Sequence, residues 1–86
     1  MIRKKIQVGV PGGIHLAVAS SLAQTVLAEG AHVFLKSGKK MVSVREMQKV
    51  LALGVHQWDQ IEVLVDSEQE EESVLERIEK ILCGGS

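Results

Sequence analysis

His15 is the residue whose type and position best suit it for chemistry. It follows the break Pro11-Gly12-Gly13 and directly precedes a segment, Leu16 to Ala28, that contains neither Gly nor Pro. This segment predicts an amphipathic helix, because its apolar residues recur at helical spacing: Ala19, Leu22, Ala23 and Val26. The spacing therefore places His15 at the amino end of a helix.

The amino end of a helix could give this histidine a role in phosphoryl transfer. Such an end exposes unpaired N–H groups and attracts anions. Its positive dipole disfavours a charged imidazolium, and the neutral ring is the nucleophilic form. His15 could then accept a phosphoryl group whose oxygens bind the backbone amides of Leu16, Ala17 and Val18. From position alone, a histidine that only caps the helix or lies in a solvated loop is the simpler explanation.

Other chemistries fit the sequence poorly. The loop from Gly9 to Ile14 does not satisfy the G-x-G-x-x-G pattern of dinucleotide sites, and Lys36 rather than an acid ends the second strand. The metal-ligating types are scattered, at His15, His32, His56 and Cys83. We therefore expect no metal site and no cofactor.

Composition excludes several classes of protein. The chain has 86 residues, a net charge of −1, 45% apolar residues and 2% aromatic residues. This balance is typical of one globular domain and argues against disorder, nucleic-acid binding and a membrane span. Cys83, as a single cysteine, cannot form an internal disulfide and fits a reducing compartment, so we expect a cytoplasmic protein.

The element order follows from periodicity and turn residues. Strands are predicted around Ile2 to Val10, Ala31 to Leu35, Met41 to Val44 and Ile61 to Val65, and helices behind His15, Glu46 and Ser67. The order β-α-β-β-α-β-α predicts an α/β (α+β) two-layer sandwich with the helices on one face of a sheet that is at least partly antiparallel. Residues 1–83 would form one domain and 84–86 a flexible tail.

Two local details are also predicted. Ser67 and Glu70 fit a capping box at the start of the last helix, which would bury Val74, Leu75, Ile78, Ile81 and Leu82. Trp58 would pack under a loop before the fourth strand.

The chain resembles the HPr family, the histidine-containing phosphocarriers of the bacterial phosphoenolpyruvate-dependent sugar phosphotransferase system. The resemblance rests on Gly13-Ile14-His15 at a helix start, and on Ala31-His32-Val33-Phe34-Leu35, Gly38-Lys39, Val50-Leu51-Ala52-Leu53-Gly54 and Ile61-Glu62-Val63. It implies a four-stranded antiparallel open-faced sandwich with three helices on one face. It also implies that His15 accepts a phosphoryl group from enzyme I and passes it to an enzyme IIA.

The sequence departs from the family pattern at three positions. Ala17 stands where the family has a phosphate-pairing arginine, and Val18 where it has a proline. Glu46 matches a serine that a kinase phosphorylates in many family members, so phosphorylation at that position is excluded. A paralogue that binds or regulates without phosphotransfer is the alternative function. Arg45 and Lys49 could partly replace the missing positive charge.

The resemblance also implies a partner surface formed by the first two helices. Its residues would be Leu16, Ser20, Gln24, Leu27, Met47, Gln48 and Leu51. Exposed Leu and Met around a reactive histidine suit transient docking of enzyme I and enzyme IIA. For Met47, a position in the core is an equally good interpretation.

Overall fold

Four strands form an antiparallel sheet that supports the candidate site. The computed structural model describes residues 1–68 and 70–84, in which the strands are β1 (Ile2–Gln7), β2 (His32–Ser37), β3 (Lys40–Ser43) and β4 (Gln60–Asp66). Their spatial order is β1-β4-β2-β3, and each neighbouring pair is antiparallel. The four-stranded antiparallel sheet implied by the resemblance is confirmed.

Alternation along the strands gives the sheet one face for the core. In the register, Ile6 lies opposite Ile61, and Val33 lies opposite Val65. These four side chains are buried, and they belong to the same apolar cluster as residues of all three helices. The helices are α1 (Leu16–Glu29), α2 (Met47–Ala52) and α3 (Glu71–Cys83). The predicted two-layer arrangement, with helices on one face, is therefore confirmed.

The buried stripe of α1 fixes which of its residues can meet a partner. The predicted residues Ala19, Leu22, Ala23 and Val26 are all buried, and Val18 joins them.

On α3, Val74, Ile78 and Leu82 are buried, whereas Leu75 and Ile81 are only half-buried at the edge of the core. Full burial of each such aliphatic side chain contributes about 1.5–3 kcal/mol to folding.

The start of α3 differs from the capping-box prediction, which is wrong. Glu70 adopts a left-handed conformation, with φ of 54°, and the helix begins only at Glu71. The backbone N–H of Ser67 donates a hydrogen bond to the carboxylate of Glu71, at 3.1 Å, one residue beyond the predicted partner. The left-handed residue moves the first turn of the helix along the chain, and sequence pattern alone does not reveal such a residue.

Glu71 links the helix to the start of the chain. Its Oε2 atom lies 3.0 Å from the ammonium group of Met1. The hydrogen bond from Ser67, and then the Met1 ammonium, hold the pKa of the Glu71 carboxyl below its ordinary value. A carboxyl with a lowered pKa in the folded state stabilises the protein above the unfolded-state pKa, and this contribution is lost as the pH falls through the folded-state pKa.

We predict that Glu71→Gln lowers the free energy of unfolding at about pH 7 and that the difference from wild type shrinks in acid, once both chains lack the charge. Denaturant unfolding at a series of pH values measures it. Glu72→Gln, an exposed neighbour in the same helical turn, is the control for the charge–dipole effect. A difference between wild type and Glu71→Gln that stays constant with pH would contradict the prediction.

Candidate functional site

Residues 8–15, here called the site loop, connect β1 to α1 and carry the candidate histidine. The end of α3 holds the first part of this loop. The backbone N–H groups of Gly9 and Val10 both donate to the Leu82 carbonyl oxygen, at 2.9 and 3.1 Å. The site loop therefore closes the last turn of a helix that lies far away in the sequence.

Residues 54–59, here called the flanking loop, hold the site loop from a second side. The Trp58 N–H donates to the Val8 carbonyl at 2.6 Å, and the Val8 N–H donates to the Asp59 carbonyl at 2.8 Å. The Gln57 side chain donates from Nε2 to the Gly9 carbonyl at 3.1 Å. These bonds extend the antiparallel pairing of β1 and β4 past the strand ends and join the two loops.

Gly13 is the point where the two loops come closest. A methyl group at Gly13 would overlap the Val55 carbonyl oxygen and lie 2.7 Å from Cα of His56. The next residue, Ile14, donates its N–H to the same Val55 oxygen at 3.1 Å, and its side chain is buried. Gly13 also has a φ of 69°, which side chains disfavour. This position therefore accepts only glycine without rearrangement.

His15 occupies the N-cap position of α1 and is exposed to solvent. Its carbonyl accepts the Ala19 N–H at 2.9 Å, which is the first intrahelical bond, so the amides of Leu16, Ala17 and Val18 precede the hydrogen-bonded part of the helix. In the described structure the imidazole makes no capping hydrogen bond to the helix. The predicted position of His15, at the amino end of the first helix, is confirmed.

The orientation of the His15 ring distinguishes its two nitrogens. A methyl group built on Gly12 would lie 3.3 Å from Cδ2 and 4.0 Å from Nε2. Gly12 therefore lies along the Cδ2–Nε2 edge of the ring. Nδ1 lies on the opposite edge, away from Gly12.

The exposed face of α1 continues away from the histidine. Leu16 and Leu27 expose 62% and 61% of their surface. Ala17 and Gln24 are exposed as well, and the Gln24 amide donates to the Ser20 hydroxyl at 3.2 Å. Of the predicted docking residues on α1, Ser20 alone is half-buried.

The predicted docking residues on α2 divide between surface and core. Gln48 is exposed, whereas Met47 and Leu51 are half-buried and pack against the core cluster. Met47 and Leu51 therefore combine the two interpretations, since each lies partly against the core and still presents part of its surface.

The cations of the α2 region are engaged in local contacts. The Arg45 guanidinium donates to the Ala31 carbonyl at 2.9 Å and so ties the start of α2 to the end of α1. Lys49 lies 2.9 Å from the carboxylate of Glu46, the residue at the N-cap position of α2. Replacement of the missing arginine by Arg45 or Lys49 would break these contacts.

The flanking loop contains the feature that the sequence analysis missed. Trp58 is 63% exposed, with a φ of 77°, so the prediction that it packs under a loop is wrong. Its backbone is fixed by the bonds to β1, and this geometry turns the indole outward. His56, in the same loop, is also exposed. No local pattern indicates that this loop lies against Gly13, because the contact depends on how β1 and β4 pair.

Comparison with known proteins assigns this architecture to a family. Residues 2–83 match the model of the family PTS-HPr, described as the PTS HPr component phosphorylation site. The chain belongs to the PTS-HPr family. Membership of this family supports a phosphocarrier role in the phosphotransferase system.

Solved structures share the fold at low sequence identity. HPr-C-His from Thermoanaerobacter tengcongensis is 18% identical, with a TM-score of 0.86, over 100% of this chain and 99% of that one. The phosphocarrier protein HPr from Bacillus anthracis is 18% identical, with a TM-score of 0.86, over 94% and 95%. The catabolite repression protein Crh of Bacillus subtilis is 20% identical, with a TM-score of 0.76, over 100% and 98%. No curated protein matches the sequence significantly.

Within residues 1–68 and 70–84, no helix is both long and apolar enough to cross a bilayer. Gly84, placed in the predicted tail, ends α3 and donates its N–H to the Ile81 carbonyl at 3.3 Å. Gly85 and Ser86, the rest of that tail, lie outside the described residues.

We predict that Gly13→Ala lowers the free energy of unfolding by more than about 2 kcal/mol, because the added methyl group overlaps backbone and the conformation is left-handed. Chemical denaturation measures the loss. Gly38→Ala is the matched control, since Gly38 has a similar φ of 62° but nothing within 4 Å of an added methyl group. Its expected cost is the conformational term alone, about 1 kcal/mol. Equal losses in the two variants would show that the loop contact contributes nothing.

Proposed function

We propose that this protein is a cytoplasmic phosphocarrier that accepts a phosphoryl group on His15 from enzyme I and passes it to an enzyme IIA. The observation that carries the proposal is the exposed imidazole at the N-cap of α1, without a capping bond in the described structure. Membership of the PTS-HPr family supports the same role. Residues 1–83 act as one domain in this proposal.

The transfer step uses a lone pair of His15. Nδ1 is the nitrogen we assign as nucleophile, because Gly12 lies along the Nε2 edge of the ring. Nδ1 of the neutral ring attacks phosphorus, the bond from phosphorus to the donor atom of enzyme I breaks, and that atom keeps the electron pair. The proton on Nε2 stays in place. In the second transfer a nucleophilic atom of enzyme IIA attacks phosphorus, the bond from phosphorus to Nδ1 breaks, and Nδ1 keeps the electron pair, which regenerates neutral His15.

The phosphoryl oxygens would bind backbone rather than side chains. The amides of Leu16, Ala17 and Val18 lie in the first turn of α1, where N–H groups lack intrahelical acceptors. The first turn carries no charged side chain, since Ala17 replaces the arginine of the family pattern. Transfer therefore depends on the amides and the helix dipole, which stabilise negative charge in the first turn.

The docking surface would surround the histidine and serve both partners in turn. It consists of the exposed leucines of α1 and the partly exposed side chains of α2, together Leu16, Ser20, Gln24, Leu27, Met47, Gln48 and Leu51. One acceptor atom can face only one partner at a time, so enzyme I must leave before an enzyme IIA binds. An apolar patch with few charges suits such brief contacts.

Glu46 would replace regulation by a kinase with a fixed charge. The residue lies at the N-cap position of α2, and its carboxylate pairs with Lys49. A carboxylate has no hydroxyl to phosphorylate, and its charge is smaller than that of a phosphate. We infer that no kinase alters the charge at position 46.

We predict that enzyme I and phosphoenolpyruvate label the protein with acid-labile, base-stable phosphate, and that this label disappears when an enzyme IIA is added. Phosphate-affinity electrophoresis after acid and base treatment measures it. His15→Ala must abolish the label, whereas His32→Ala, at the exposed start of β2, must keep it. A folded wild-type protein that stays unlabelled with several enzymes I would favour the paralogue that binds without phosphotransfer.

We predict that Ala17→Arg raises the rate of phosphoryl transfer to His15 about tenfold, equivalent to about 1.4 kcal/mol, because one charge-assisted hydrogen bond is regained. Rapid-quench labelling by enzyme I measures the rate. Ala28→Arg places the same side chain at an exposed position near the opposite end of α1, so it controls for net charge. An unchanged rate in Ala17→Arg would indicate that another group already supplies this interaction.

A further inference from the structure

The two loops at the site contain a second imidazole. Among residues 8–15 and 54–59, the side chains that can carry positive charge are His15 and His56. His56 follows Val55, whose carbonyl accepts the Ile14 N–H at 3.1 Å, and its Cα lies where a methyl group on Gly13 would meet it at 2.7 Å. The backbone of His56 is therefore in direct contact with the site loop, two residues from His15.

The backbone of His56 is held in place, while its side chain is open to solvent. It is 83% exposed, so no packed group surrounds the ring. Asp59 holds the backbone of His56, because its Oδ2 atom accepts the His56 backbone N–H at 2.9 Å. The same oxygen lies 3.7 Å from the ring nitrogen Nδ1. The other ring nitrogen, Nε2, is left to serve as a donor toward solvent.

The remaining cations of the region are committed to other partners. Arg45 binds the Ala31 carbonyl, and Lys49 pairs with Glu46. A phosphoryl group on His15 would add negative charge beside a helix turn that carries only apolar side chains. His56 is the side chain of the adjoining loop that can carry a complementary charge.

We propose that His56 is a second phosphate-contacting residue, whose Nε2–H donates a hydrogen bond to the phosphoryl group carried by His15. The proposal rests on the proposed function of His15, and it names a side chain that contacts the phosphoryl group. It adds a contact from a side chain of the flanking loop to the contacts that the helix amides make with the phosphate. No bond of the transferred group is made or broken by His56.

The experiment uses phosphoramidate, a small chemical phosphoryl donor, so that docking of a protein partner does not influence the result. Phosphorylation of His15 is followed by ³¹P NMR in wild type, His56→Ala, His56→Arg and His32→Ala. We expect His56→Ala to react about tenfold more slowly, and His56→Arg to restore most of the rate because it also donates to phosphate. His32→Ala removes an exposed histidine at the start of β2 and should react like wild type.

Imidazole ¹H–¹⁵N spectra give a second readout that a purely structural role would not change. On phosphorylation of His15, the Nε2 signal of His56 should shift, while that of His32 should not. Equal rates in wild type and His56→Ala would overturn the proposal, as would equally slow reaction of His56→Ala and His56→Arg. Failure of enzyme I to label a protein that phosphoramidate does label would instead contradict the proposed function.

Discussion

The backbone contact between Gly13 and the flanking loop is the constraint on which the rest of the site depends. Three distant parts of the chain meet here: the end of β1, the segment before β4 and the last turn of α3. Each contributes backbone N–H or carbonyl groups, so the site loop has few alternatives in conformation. The backbone of His15, at the end of this loop, is held in one place while its ring stays open to solvent.

A site built from backbone groups tolerates wide change in side chains. The helix amides, the left-handed glycine and the bonds to Leu82 depend on chain direction and close approach, not on charged residues. Ala17 and Val18 can therefore occupy the first turn of α1 without altering its geometry. What such changes alter is the charge of the side chains around the candidate histidine.

Local sequence pattern predicts the parts of this structure that depend on local forces. Alternation in β4 and the apolar stripe of α1 follow directly from burial on one side, and the position of His15 follows from the break before that stripe. The exposure of Trp58 and the half-burial of Met47 depend on tertiary contacts, which periodicity does not contain. Helix α3 begins late because Glu70 adopts a left-handed conformation, which the residue type glutamate does not predict.

Trp58 has a further consequence because it is the chain's single tryptophan. Its indole is in water, while its backbone is bonded to Val8 at the start of the site loop. The intrinsic fluorescence of the protein therefore originates beside the candidate site, with the red-shifted emission of a solvated indole. An event that covers or distorts this region would change the emission of Trp58. Binding of a partner near the candidate site can therefore be followed by fluorescence without an attached dye.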